Sequence, residues 1–314
     1  MRVSLLATTL AFLLLACSPE QASIPRPTSS PSPSPDTPEP STDTPGPSPV
    51  SFRFYGETLT DVTYCTVGES SQKMDVYFPG SGGPWPALVY VHGGSWMHGD
   101  KTEAMMFASR MTDRGYLVVS INYRLYPAGK FPNMIEDVKC AIRSLRAHAG
   151  QYNLDQDRIA AVGPSAGGHL VSLLGTTDAS AGWDVGEYLD QSSRVQAVIA
   201  IAAVTDLTKN FPSADIEAMR RVGFGEDNIV QASPVTHVTA DDPPFLLIHG
   251  EQDTVVPFEQ SQLMYERLIG MNVPAQLVIV RNAGHSPIEP GGTSSPTLEE
   301  IYRTISDFLE RCLV

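Results

Sequence analysis

Gly163-Pro164-Ser165-Ala166-Gly167 sets a serine among small residues, where the chain can turn tightly and leave the hydroxyl raised. A serine hydroxyl becomes a useful nucleophile when a base removes its proton. Histidine suits that task, and a carboxylate can orient the imidazole and stabilise its charged form. Both follow in order: Asp253 in His249-Gly250-Glu251-Gln252-Asp253, then His285 in Ala283-Gly284-His285. Upstream lies His92-Gly93-Gly94-Ser95-Trp96, a loop whose paired glycines allow a close backbone approach. The chemistry these residues could do together is acyl transfer. Ser165 would attack a carbonyl, His285 would carry the proton and Asp253 would orient His285. The N–H groups of Gly94, Ser95 and Ala166 would hold the oxyanion.

Each assignment is a choice among rivals. His285 alone of the seven histidines follows Asp253. His92 is read as holding its loop, His249 as structural, and His169 as packed inside the helix after Ser165; His98, His148 and His237 have no supporting context. Asp206, in Val204-Thr205-Asp206, is the rival acid, and Asp253 is favoured because a His-Gly-x-x-Asp run followed by Val255-Val256-Pro257 is the commoner setting for such an acid. Trp96 is the substrate-binding candidate. No histidine–carboxylate group has metal-ligand spacing, so neither a metal nor a cofactor is expected.

Such residues need rigid elements to bring them together. Short apolar runs at 74–78, 87–91, 116–123, 159–162, 195–202, 245–249 and 276–280 are predicted strands. Helices are predicted over 103–114, 133–148, 166–176, 258–268 and 298–312; in the last, Ile301, Ile305, Phe308, Leu309 and Cys312 share one face. Strand–helix alternation implies an α/β fold with a mostly parallel sheet covered on both faces. Ser165 then sits between a strand and a helix. Pro164 is an unusual neighbour for it, because proline fixes φ and has no N–H.

The chain has 314 residues and a formal charge of −14, which argues against nucleic acid as a partner. Val3 to Leu15 is an apolar run behind Arg2 and ends in Leu14-Leu15-Ala16-Cys17. It is short for a membrane span and suits an export signal. Residues 1–17 are read as a lipoprotein signal with Cys17 as the lipid anchor. Residues 18–50, rich in Pro, Ser and Thr, are read as a tether; an extended form of roughly 3 Å per residue would reach on the order of 100 Å. Residues 51–314 remain as one catalytic domain. The expected location is extracytoplasmic, on a bacterial membrane. Disulfides persist there, and Cys65–Cys140 is one pairing open to Cys65, Cys140 and Cys312.

His92-Gly93-Gly94-Ser95-Trp96, Asn122-Tyr123-Arg124-Leu125, Ser165-Ala166-Gly167-Gly168-His169-Leu170 and His249-Gly250-Glu251-Gln252-Asp253 together resemble the α/β-hydrolase carboxylesterases. The likeness is to the bacterial feruloyl-esterase-like branch, near the hormone-sensitive-lipase-like esterases, and runs from about Tyr64 to the C-terminus. Ser95 stands where the commonest lipase loop has a third glycine, as is normal in that branch. No large cap domain precedes His92, and only 208–236 could form a lid. The resemblance implies a serine carboxylesterase without a cofactor. Its substrate would be a small-molecule or polymer-linked ester of a short-chain or aromatic acid, such as an acetyl or feruloyl ester of plant polysaccharide. An amidase, formamidase or peptidase would use the same residues, and a non-catalytic surface binding protein could keep the fold.

Overall fold

The computed structural model describes residues 54–68, 70–287 and 293–313. The predicted signal, Cys17 and the tether lie outside the described residues. Ser51–Val314 clusters as one unit. Its eight described strands are β1 (Thr58–Val67), β2 (Ser70–Tyr77), β3 (Trp85–Val91), β4 (Leu117–Ile121), β5 (Leu154–Pro164), β6 (Ala197–Ile201), β7 (Phe245–Gly250) and β8 (Ala275–Val280). They form one sheet in the order β1-β2-β4-β3-β5-β6-β7-β8. The β1–β2 and β2–β4 pairs are antiparallel, and every pair from β4 to β8 is parallel.

Parallel strands need crossover connections, and helices supply them. They are α1 (Met105–Thr112), α2 (Asn133–Ala147), the short α3 (Ala149–Tyr152), α4 (Ala166–Thr176), α5 (Ala214–Met219), α6 (Glu259–Gly270) and α7 (Leu298–Cys312). Alternate residues of β3 feed two cores. Ala87, Val89 and Val91 pack with α2, α4 and α6; Leu88 and Tyr90 pack with α1 and α7. Both faces of these central strands are therefore covered, which explains why β6 reads as an unbroken apolar run and β4 as one broken only by Ser120.

Two differences from the expectation have physical reasons. β1 was not among the predicted strands, because this edge strand is mostly exposed and polar. The helix expected from 103 starts as a tight turn, Lys101–Ala104, before α1. Asp100 caps that turn: Thr102 N–H donates to Asp100 Oδ1, and Asp100 N–H donates to Glu103 Oε1. A disulfide joins Cys65 on β1 to Cys140 on α2, with Cα atoms 6.4 Å apart.

Candidate active site

The carboxyl ends of β3, β5 and β7 point their following loops at one place, as open α/β sheets do. Ser165 follows β5 directly and precedes α4, with φ 51° and ψ −116°. That positive φ is the strained turn of a nucleophile elbow. The turn is possible because Gly167 presses on β3: a Cβ there would run into the Val91 carbonyl. Pro164 does not prevent the turn. It sits opposite Ile201 at the end of the β5–β6 ladder, and Ser165 N–H donates to Ile201 O at 2.8 Å.

Asp253 and His285 complete a hydrogen-bonded chain. A carboxylate only accepts, so His285 Nδ1–H donates to Asp253 Oδ2 at 2.7 Å. His285 Nε2 is then free to accept from the Ser165 hydroxyl, 2.9 Å away. The other carboxylate oxygen, Asp253 Oδ1, accepts from Val255 N–H at 2.8 Å and Val256 N–H at 2.9 Å. Burial would raise the Asp253 carboxyl, but bonds from His249, His285 and Val256 hold it well below the usual carboxylate range. It is therefore ionised at neutral pH. Asp206, the rival acid, turns back on its own loop. Its Oδ1 accepts from Thr208 N–H at 2.9 Å, and Oδ2 lies 3.7 Å from Lys209.

Gly94 and Ser95 lie in the loop after β3, and both have positive φ, 100° and 51°. Glycine takes such a φ freely, whereas Ser95 is held there by the loop. The Gly94 carbonyl accepts from Met97 and His98, and no hydrogen bond among the described residues uses the Gly94 or Ser95 N–H. Ala166 is the first residue of α4, where an N–H has no partner within the helix. A developing oxyanion could use such donors. His92 stands behind the loop. Its Nδ1–H donates to the Gly93 carbonyl at 2.8 Å, and its ring stacks on Tyr123 at 4.5 Å. Burial pushes its imidazole below the ordinary value.

Trp96 needs correcting as a substrate-binding residue. It is fully buried and does not line the cavity at Ser165. Its indole N–H donates to His169 Nδ1 at 3.2 Å, and Phe224 packs edge-on against it at 4.9 Å. The loop turns so sharply at Ser95 and Trp96, where φ is 59°, that the indole enters the core. The 208–236 segment packs there too, with Ala232 O accepting from His169 Nε2–H at 2.7 Å. None of its residues lines the cavity.

The cavity measures about 510 Å³ and runs from Ser165 and His285 towards α1 and α7. Tyr90, Phe107 and Tyr302 form its aromatic wall, with Met106 and Glu103 also lining it. Tyr90 falls in the predicted strand 87–91, and Phe107 and Tyr302 fall in the predicted helices 103–114 and 298–312. The available signal was a tyrosine hydroxyl on each of two otherwise apolar faces, Tyr90 on β3 and Tyr302 on α7. His249 also gave no functional signal, yet its Nε2 lies 3.2 Å from Asp253 Oδ2. Among the described residues no group of His, Cys, Asp or Glu could hold a metal, and no helix is long and apolar enough to cross a membrane.

Known proteins extend this picture. Esterase LipC of Mycobacterium tuberculosis is 32% identical over 73% of this chain and 62% of its own length. The chain thus spans less than two thirds of that relative. A truncated carbohydrate esterase from gut microbiota matches with a TM-score of 0.69 and 27% identity, over 82% of this chain and 96% of that one. The propionate-bound esterase Est2 of Thermogutta terrifontis matches with a TM-score of 0.70 and 26% identity, over 81% and 94%. The fold is that of the α/β-hydrolases. The BD-FAE family model matches residues 74–268, which hold Ser165 and Asp253 and stop before His285. With more than half of its length covered by that model, the chain belongs to the BD-FAE family.

Proposed function

We propose that this chain is a serine carboxylic-ester hydrolase. The observation that carries the proposal is the unbroken chain from Ser165 through His285 to Asp253 beside a preformed cavity. Ser165 Oγ attacks the ester carbonyl while His285 Nε2 takes its proton. Asp253 keeps the proton on Nδ1 and stabilises the imidazolium. The N–H groups of Gly94, Ser95 and Ala166 receive the oxyanion, each such donor being worth about 3–4 kcal/mol in the transition state. The tetrahedral intermediate collapses, His285 protonates the leaving alkoxide, and an acyl-Ser165 remains. Water, deprotonated by His285, then releases the acid. The esterase names of the relatives support the same reaction.

The substrates proposed are esters of short-chain or aromatic acids, including acetyl or feruloyl groups on plant polysaccharide. An aromatic wall to which 208–236 contributes no residue supports this reading, as does the likeness to a carbohydrate esterase. The apolar run ending in Leu14-Leu15-Ala16-Cys17 supports a lipid anchor on Cys17 and an extracytoplasmic membrane location. Intact-mass measurement of the mature protein tests the anchor: a diacylglyceryl cysteine at its N-terminus is expected, and an unmodified terminus beyond Cys17 would refute it.

The reaction is tested with acetyl, butyryl, long-chain and hydroxycinnamoyl esters and their matched amides. Esters should exceed amides in kcat/KM by at least about a hundredfold. An amide preference would make the chain an amidase. A maximum at about twelve or more acyl carbons with activation at a lipid interface would make it a lipase.

A further inference from the structure

We propose that His249 is a positioning residue for the acid, clamping Asp253 so that the oxygen it touches also meets His285. The inference rests on the Ser165–His285–Asp253 reading above. His249 lies in β7 and is fully buried. Its Nε2 faces two acceptors, Val256 O at 3.0 Å and Asp253 Oδ2 at 3.2 Å, so that nitrogen carries a proton. Its Nδ1 faces the hydroxyl of buried Ser261 on α6 at 2.7 Å, and in the neutral ring it accepts from that hydroxyl. Phe258 packs edge-on against the ring at 5.7 Å. The tautomer and the ring plane are therefore both fixed.

Val256 closes the clamp. Its N–H holds Asp253 Oδ1 while its carbonyl holds His249. Asp253 Oδ1 thus takes two backbone N–H bonds, while Oδ2 takes the His285 bond and has His249 Nε2 3.2 Å away; of these four groups only His285 moves a proton in the reaction. The His249 bond is shared with Val256 O and is longer than the 2.7 Å bond to His285. Its loss should therefore disturb orientation without abolishing the chemistry.

The test compares His249→Leu, which has no donor, with His249→Gln, whose amide N–H can reach the same oxygen. We expect the leucine variant to lose about 10–100-fold in kcat, the scale set by a misplaced catalytic group, with KM changed less than about twofold. The glutamine variant should recover to within about fivefold of the wild type. Thermal melting and the rate of Ser165 labelling by a p-nitrophenyl phosphonate are measured on each. Labelling should follow kcat across the variants and not their melting temperatures. If the leucine variant does not fold, His249→Asn, too short to reach Oδ2, replaces it. Full kcat in the donor-less variant, or equal losses with and without the donor, overturns the proposal. Ser165→Ala is run beside them: turnover surviving in that variant would break the triad reading itself, whatever His249 does.

Discussion

Asp206 and Asp253 follow neighbouring parallel strands, β6 and β7, and both are acids in the loops beyond those strands. They differ in where their oxygens are spent. Asp206 closes its own turn on Thr208, while Gln260 Oε1 holds the Thr205 and Asp206 backbone N–H groups. Asp253 gives one oxygen to backbone N–H groups and aims the other at His285 and His249. The lesson is that position past a strand end is not enough for a catalytic acid. One oxygen must be anchored so that the other is left to point across the sheet. The histidines divide in the same way. His169 spends both nitrogens inside the core, on Trp96 and Ala232, whereas His285 bridges two elements.

The sharpest test of this contrast is Asp253→Asn. The amide cannot hold the His285 tautomer that accepts from Ser165, so kcat should fall by about 10⁴-fold. A loss below about tenfold would show that Asp253 is not the acid. Trp96 stands with the internally tied residues. Trp96→Ala should lower unfolding free energy by about 3–5 kcal/mol through the cavity it leaves, read by denaturant titration. Its KM for short acyl esters should stay within about twofold of the wild type; a large KM rise at unchanged stability would return Trp96 to the substrate site.

His169 gives a pH signature of being tied. Burial pushes its imidazole down to about 4, although the bond to Ala232 O opposes the shift. Its unfolded value is about 6.5. Between the two, the unfolded chain alone takes up the proton, so stability is full above about 6.5 and is lost as pH falls towards 4. The His169 share is at most about 3 kcal/mol. Urea midpoints from pH 7 to 4 measure it, and His169→Gln should flatten that part of the slope. An equal slope in both proteins would show that His169 does not titrate in this way. The smallest effect belongs to the rival acid: Asp206→Asn should change kcat by less than about threefold. A greater loss there than in Asp253→Asn would exchange the roles of the two acids.

Much of this was legible in the sequence because the chemistry sits in local motifs. The turn at Ser165, the loop at Gly94 and Ser95, and the order of Asp253 and His285 are all readable without tertiary contacts. The central parallel strands were readable because burial on both faces makes them largely apolar. β1 was not, since an exposed edge strand carries polar residues that resemble a loop. Trp96 misled because proximity to the glycine loop says nothing about which way a residue with positive φ sends its side chain. The wall of Tyr90, Phe107 and Tyr302 draws on three elements, β3, α1 and α7, whose meeting no local pattern records. His249 was read as structural, and its bond to Asp253 depends on a loop that folds back by four residues.

The role of Ser165 as the nucleophile activated through His285 underlies the proposed reaction. It is tested most directly by incubating the protein with a p-nitrophenyl phosphonate and mapping the adduct by mass. One adduct per chain is expected on Ser165, formed in step with loss of esterase activity and absent from Ser165→Ala. An adduct on another residue, or inactivation that proceeds undiminished in Ser165→Ala, would contradict it.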